Sequence, residues 1–128
     1  MVKASGHEIV SRKLISDDEE MIRLEVLRSL YDEDADAVIL TGGTGLAKRD
    51  VTSETIMPLL DKKIEGFGEI FRTISYKKIG SSSYLSRALA GTLNDKLIFC
   101  LPGSPEAVEL ALSLILPELS HMVYLLRI

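Results

Sequence analysis

Two apolar runs that each lead into a glycine-bearing turn constrain this chain more than any other feature. Ala37–Leu40 (AVIL) runs into Thr41, Gly42, Gly43, Thr44 and Gly45, and the stretch LIFCL runs into Pro102, Gly103, Ser104 and Pro105. A run that is apolar at every position has no solvent-facing side, so AVIL predicts a strand of a parallel sheet covered on both faces. In such sheets ligands sit beyond the carboxyl ends of the strands. Glycine there lets backbone N–H groups approach an anion, and a nearby helix start adds favourable potential. A tight turn between strand and helix is the plainer reading, but Thr41 and Thr44 add hydroxyl donors that a turn alone does not require.

The remaining periodicities alternate strand and helix. Glu8–Ile15 mixes apolar and polar residues as a strand does. Ser16 and Glu19 have the spacing of a capping box, with Asp17 and Asp18 in the first turn facing the positive end of the helix dipole. Ile22, Val26, Leu27, Leu30 and Tyr31 form one stripe, predicting a helix of about four turns. Thr52 is placed to cap a helix that Pro58 should shorten or bend. Phe67, Ile70, Phe71 and Ile74 recur at helical spacing, Gly80–Arg87 reads as a serine-rich turn or short helix, and Asn94-Asp95 joins two strands. Ser104 is placed as a cap and Pro105 as the first residue of a helix that Pro117 should kink or end, leaving a final helical segment around Leu119–Leu126. The order predicts an α/β domain with a mainly parallel sheet, and 128 residues without a repeat or linker predict one domain spanning 1–128.

Composition excludes several classes. A net charge of −4 argues against a broad nucleic-acid surface. No apolar run approaches the ~20 residues of a membrane span, and MVKASGHE lacks the apolar middle of a secretory signal, so a cytoplasmic location is the expectation. His7 and His121 lie at opposite ends of the chain, which leaves no histidine pair for a metal or a catalytic triad. Cys100, the single cysteine, falls in an apolar run where a buried inert thiol is expected.

The candidate ligand residues each have a second reading. The glycine loop is neither a P-loop, which needs GxxxxGK, nor a dinucleotide fingerprint, because Leu46, Ala47 and Lys48 follow Gly45. Asp50, beside Arg49, and Asp17 could bridge phosphate oxygens through Mg²⁺, since bare carboxylates repel such a ligand. Alternatively Asp17 serves a helix dipole and Asp50 forms a turn or pairs with Arg49. Ser86 and Arg87 could recognise an anion or lie solvated at the surface.

Taken together, TGGTGLAKRDVT, GFGEIFRTISYKKIG, LSRA and LPGSPEAVELAL resemble the MogA/MoaB family of molybdenum cofactor biosynthesis proteins, over about Gly6 to Arg127. The resemblance implies a three-layer α/β/α fold, a homotrimer or dimer of trimers, and molybdopterin as ligand. It implies transfer of AMP from Mg-ATP to the terminal phosphate of molybdopterin with release of pyrophosphate, ahead of metal insertion by another protein. It assigns Asp17 and Asp50 to Mg²⁺ and ATP, Gly42 to Gly45 to the phosphate cradle, Ser86 and Arg87 to the pterin pocket, and Pro102 to Pro105 to a second binding loop. The alternative is a non-catalytic molybdopterin-binding paralogue or a truncated, inactive member of the family. Family members begin with a strand, a polar ligand loop and a helix, of which only VKASGHE corresponds here, so the chain is expected to be short relative to the family.

Overall fold

The structure is a computed structural model describing Met1–Ile128. Its centre is β4, Lys96–Leu101, in a four-stranded sheet of order β1-β4-β3-β2. β1 (Ala37–Thr41) pairs with β4 in parallel, Ala37 opposite Leu97 and Thr41 opposite Leu101. β3 (Leu89–Leu93) pairs with β4 antiparallel, and the two-residue β2 (Lys62–Lys63) pairs antiparallel with β3. The sheet is therefore mixed, which corrects the expectation of a mainly parallel one. The cause is the turn at Asn94-Asp95, where φ values of 46° and 67° match the twist of a two-residue hairpin and return the chain directly alongside itself.

Alternation along β4 explains the layers. Leu97, Phe99 and Leu101 point to one face and join Phe71, Ala88, Ala90, Ala111 and Ile115, beneath α3 (Glu65–Ile79) and α4 (Pro105–Arg127). Ile98 and Cys100 point to the other and join Ile22, Val26, Leu30 and Ile56, beneath α1 (Glu19–Leu27) and α2 (Thr52–Ile56). The result is the three-layer α/β/α arrangement. β1 follows the same rule, with Ala37 and Ile39 on the first core and Val38 and Leu40 on the second. AVIL thus packs on both faces, as its uniform apolarity required, but it lies at the sheet edge with each of its four residues half-buried.

Several local expectations are revised. Glu8–Ile15 forms no strand, because it makes no backbone hydrogen bond to any neighbour; only Ile15 packs on a core. The Ser16/Glu19 capping box does not form, since Asp18 takes the cap and accepts from Met21 N at 3.1 Å. α1 then widens into one π-helical turn, Arg28–Asp32, which buries Leu30. Thr52 is the first residue of α2 rather than its cap, and Pro58 sits in the 3₁₀ turn that closes this short helix. Ile70 lies 54% exposed, and the buried stripe of α3 runs through Gly68, Phe71 and Ser75 instead. Ser104 and Pro105 start α4 as expected, with Ser104 Oγ accepting from Ala107 N at 3.3 Å.

Pro117 neither ends nor divides α4. Both Pro117 and Ser113, whose carbonyl it deprives of a partner, face solvent, where water can take the freed oxygen. The continuous helix is 23 residues long with a hydropathy of 1.4, apolar enough by length and composition to cross a membrane. Its buried residues are Ala111, Ile115 and Leu116, of which Ala111 and Ile115 pack in the first core.

Candidate functional site

The two glycine-bearing turns meet because β1 and β4 are parallel neighbours and both end at the same edge of the fold. Gly42 N donates to Leu101 O at 2.8 Å, tying the first turn to the end of β4. A methyl on Gly103 would lie 3.4 Å from Gly42 Cα, so the turns touch backbone to backbone. Gly42 and Gly43 have φ of 94° and 73°, the left-handed region that L side chains rarely adopt. Gly43 has a second requirement: a side chain there would collide with Thr52 Oγ1.

Behind these glycines the loop is fastened at many points. Thr52 N donates to Gly43 O at 3.1 Å, and Thr44, only 3% exposed, accepts through its carbonyl from Arg87 N at 3.0 Å. Asp50 closes the loop on itself, with Oδ2 accepting from Ala47 N at 2.9 Å and Asp50 N donating to Ala47 O at 3.0 Å. Its turn partner is thus Ala47; Arg49 is exposed and makes no side-chain hydrogen bond or ion pair. Asp50 Oδ2 also stands 2.7 Å from where a Gly45 methyl would be.

Arg87 stands at the centre of this fastening. Its Nε donates to Gly45 O at 3.0 Å, its Nη2 to Gly45 O and to Asp50 O (the latter at 3.1 Å), and its Nη1 to Glu54 Oε2. The Arg87 guanidinium beside it holds the Glu54 carboxyl below its ordinary range, against an opposing effect of desolvation. Ser53 Oγ donates to Arg87 O at 3.0 Å. Ser86 Oγ accepts from Ala88 N at 3.3 Å, while Arg72 Nη1 donates to the carbonyls of Ser86 and Ala88 at 3.3 and 2.9 Å. Ser86 and Arg87 also line a cleft of about 570 Å³ with Lys63, Arg72 and Tyr84, and the glycine turns are not among its walls.

Of the residues singled out by sequence, Thr41 to Gly45, Asp50, Arg87 and the turn from Pro102 to Pro105 therefore lie in one connected neighbourhood. Asp17 lies on the exposed entry to α1, one residue before the cap, with no side-chain hydrogen bond or ion pair. Glu54, Ser53 and Arg72 were not legible as site residues. Glu54 and Arg87 are 33 positions apart, and no short-range pattern announces a pair of that separation. Cys100 is fully buried, its thiol pushed up by burial to about 12, and His121 pairs with Glu118 on α4, so neither serves this site.

Mg²⁺ prefers an octahedron of oxygens and is usually held by one or two carboxylates, waters and the substrate's phosphates. No group of three or more His, Cys, Asp or Glu side chains gathers in the structure. Asp50 Oδ1 makes no hydrogen bond and no ion pair. These residues fit an ion that arrives on a polyphosphate and do not form a cage for a resident one.

Comparisons with known proteins give the family and the fold. Residues 1–121 match the family described as "Probable molybdopterin binding domain". The chain is 51% identical over 126 residues to the molybdenum cofactor biosynthesis protein B of Bacillus cereus, covering 97% of this chain and 75% of that protein. It is 46% identical over 128 residues to the protein of the same name from Bacillus subtilis, covering 98% of this chain and 75% of that one. The crystal structure of a molybdenum cofactor biosynthesis protein B superposes with a TM-score of 0.93 at 51% identity, over 98% of this chain and 79% of the other. The tungsten cofactor synthesizing protein MoaB from Pyrococcus furiosus superposes at 0.83 with 40% identity, over 95% and 78%.

Proposed function

The chain belongs to the molybdopterin-binding domain family of molybdenum cofactor biosynthesis proteins, and from that premise we propose that it adenylylates molybdopterin. In this reaction a terminal phosphate oxygen of molybdopterin attacks the α-phosphorus of ATP. The new P–O bond forms as the bond to the bridging oxygen of the β-phosphate breaks, and pyrophosphate departs with that electron pair. The nucleophile belongs to the substrate, so the protein's task is to align two anions and offset their repulsion. A site without an activated cysteine or a histidine pair is consistent with that task.

The observation that carries this reading is the contact of the Gly42 and Gly103 turns at the ends of two parallel strands. Backbone N–H groups on both sides of that contact can receive phosphate oxygens without bringing a side chain's bulk between them. Thr41, exposed at the end of β1, offers a hydroxyl at its border, while Thr44 is buried behind it. Asp50 Oδ1 would hold Mg²⁺, and the ion would supply neutralisation of the crowded phosphates; Asp17, on the exposed entry to α1, lies outside this neighbourhood. Ser86 would contribute to the pterin side and the turn from Pro102 to Pro105 to a second binding loop, while the Arg87 side chain is held on Gly45, Asp50 and Glu54. The test is pyrophosphate release from ATP in the presence of molybdopterin and Mg²⁺. Molybdopterin binding without release would leave a non-catalytic binding protein of the same family.

A homotrimer or dimer of trimers in the cytoplasm, handing its product to a metal-insertion protein, is part of the same proposal. Its support is the apolar surface left on α3 and α4, where Ile70, Ile79, Tyr124 and Leu125 are each at least half exposed. Light scattering that returns a monomer mass would reject the assembly.

A further inference from the structure

We infer that Glu54 and Arg87 form a clasp that positions the glycine loop and Asp50, and that neither side chain is a ligand of the substrate. The inference rests on the reading of the loop as the nucleotide site and changes the role of Arg87 within it. A guanidinium that binds phosphate presents its flat fork to the anion. Here Nε and Nη2 are both turned onto Gly45 O, Nη2 reaches Asp50 O as well, and Nη1 is held by the Glu54 carboxylate. The fork thus spans both ends of the segment that carries Leu46 to Arg49. A carboxylate already neutralises the charge that an incoming phosphate would seek.

The backbone of the same residues completes the arrangement. Arg87 N donates to Thr44 O, and Ser53 Oγ donates to Arg87 O, so α2 and the strand entering β3 grip the loop from two sides. Glu54 follows directly on Thr52 and Ser53, the residues that touch Gly43 and Arg87. One short helix therefore sets both the glycine conformation and the arginine that pins the far end of the loop. Asp50 inherits its orientation from this, because its carbonyl is tied to Arg87 while its carboxylate is tied to Ala47. Loss of the clasp leaves the anion-binding groups present and their alignment gone.

Lysine cannot replace the arginine in this role, since one ammonium on a flexible stem does not reach two carbonyls and a carboxylate as a planar fork does. Glutamine can replace Glu54, because an amide oxygen still accepts from Nη1. The experiment measures amide hydrogen exchange across Gly43–Asp50 and steady-state turnover of ATP with molybdopterin for Arg87→Lys, Glu54→Ala and Glu54→Gln in the full chain. Arg87→Lys and Glu54→Ala are expected to lower protection of these amides by about tenfold or more, with Glu54→Gln within about twofold of the parent. The first two are expected to lower kcat by about tenfold while KM for ATP changes by less than about threefold. Unchanged protection in both Arg87→Lys and Glu54→Ala overturns the clasp. So does a rise in KM at constant kcat in Arg87→Lys, which makes Arg87 a ligand. If the parent protein releases no pyrophosphate, the adenylylation reading fails and the exchange data alone decide the clasp.

Discussion

Residues 42–51 and residues 8–17 are both irregular backbone, yet the fold treats them in opposite ways. The first stretch has its carbonyls and amides answered by Leu101, Arg87, Thr52 and its own turn, and its side chains include the 3%-exposed Thr44. In the second, Glu8–Ile15 makes no backbone hydrogen bond and holds to the domain through Ile15 and the Lys13 ion pairs with Glu25 and Glu33. Irregular chain becomes fixed when distant residues satisfy its polar groups, and local sequence character alone does not supply that.

Gly43 and Gly6, the latter just before the second stretch, measure the contrast, because both have positive φ, 73° and 86°. Alanine at Gly6 meets nothing within 4 Å and bears only the backbone strain, about 1 kcal/mol. Alanine at Gly43 adds a collision with Thr52 Oγ1 on top of that strain. We expect Gly43→Ala to cost about 3 kcal/mol and to lower the thermal midpoint by about 10 °C, with turnover abolished. Gly6→Ala should lower it by no more than about 4 °C. Equal losses in the two variants would break the comparison.

A smaller structural change separates the loop's shape from its chemistry. Asp50→Asn keeps an oxygen to accept from Ala47 N and removes the charge. The midpoint should stay within about 3 °C of the parent, while pyrophosphate release falls by about a hundredfold or more. Full turnover in Asp50→Asn would reduce Asp50 to a residue that closes a turn.

The contrast also explains what the sequence could and could not announce. Both strand-to-glycine junctions, the Asn94-Asp95 hairpin, the Ser104-Pro105 helix start and the buried Cys100 are written in residues adjacent along the chain, where turn chemistry and apolar runs act locally. That β1 and β4 are neighbours, and that Gly42 consequently faces Gly103, follows from their parallel pairing across roughly sixty residues. Glu8–Ile15 shows the converse error. Its mixed pattern is compatible with a strand, but a strand exists only where a second one hydrogen-bonds to it. Pro117 misled for a related reason, since its cost depends on whether the deprived carbonyl faces water. The positions most informative about chemistry were the hardest to read: Arg87 is visible as an arginine, but its grip on Gly45, Asp50 and Glu54 belongs to tertiary structure.

The smallest expected effect tests the two anchorages by pH. Contact with Glu33 and then Glu25 raises the Lys13 ammonium above its ordinary 10.5, and Lys13 lowers the Glu33 carboxyl below its ordinary 4.5. A raised base stabilises below its unfolded pKa and loses that contribution as pH climbs through the folded value; a lowered acid does the reverse on the acidic side. The tie of the N-terminal segment therefore has two edges, one below pH 4.5 through Glu33 and one above pH 10.5 through Lys13. The loop's tie has only the acidic edge, through the lowered Glu54, because an arginine guanidinium keeps its proton in alkali. Cleavage within residues 8–17 by an alkaline serine protease should accelerate by about two- to fivefold as pH rises from about 9 to about 11.5, while cleavage within 43–50 does not. Lys13→Arg preserves the charge across that range and should remove the acceleration. An unchanged acceleration in Lys13→Arg would show that Lys13 does not anchor the segment, and parallel acceleration at 43–50 would erase the distinction between the two stretches.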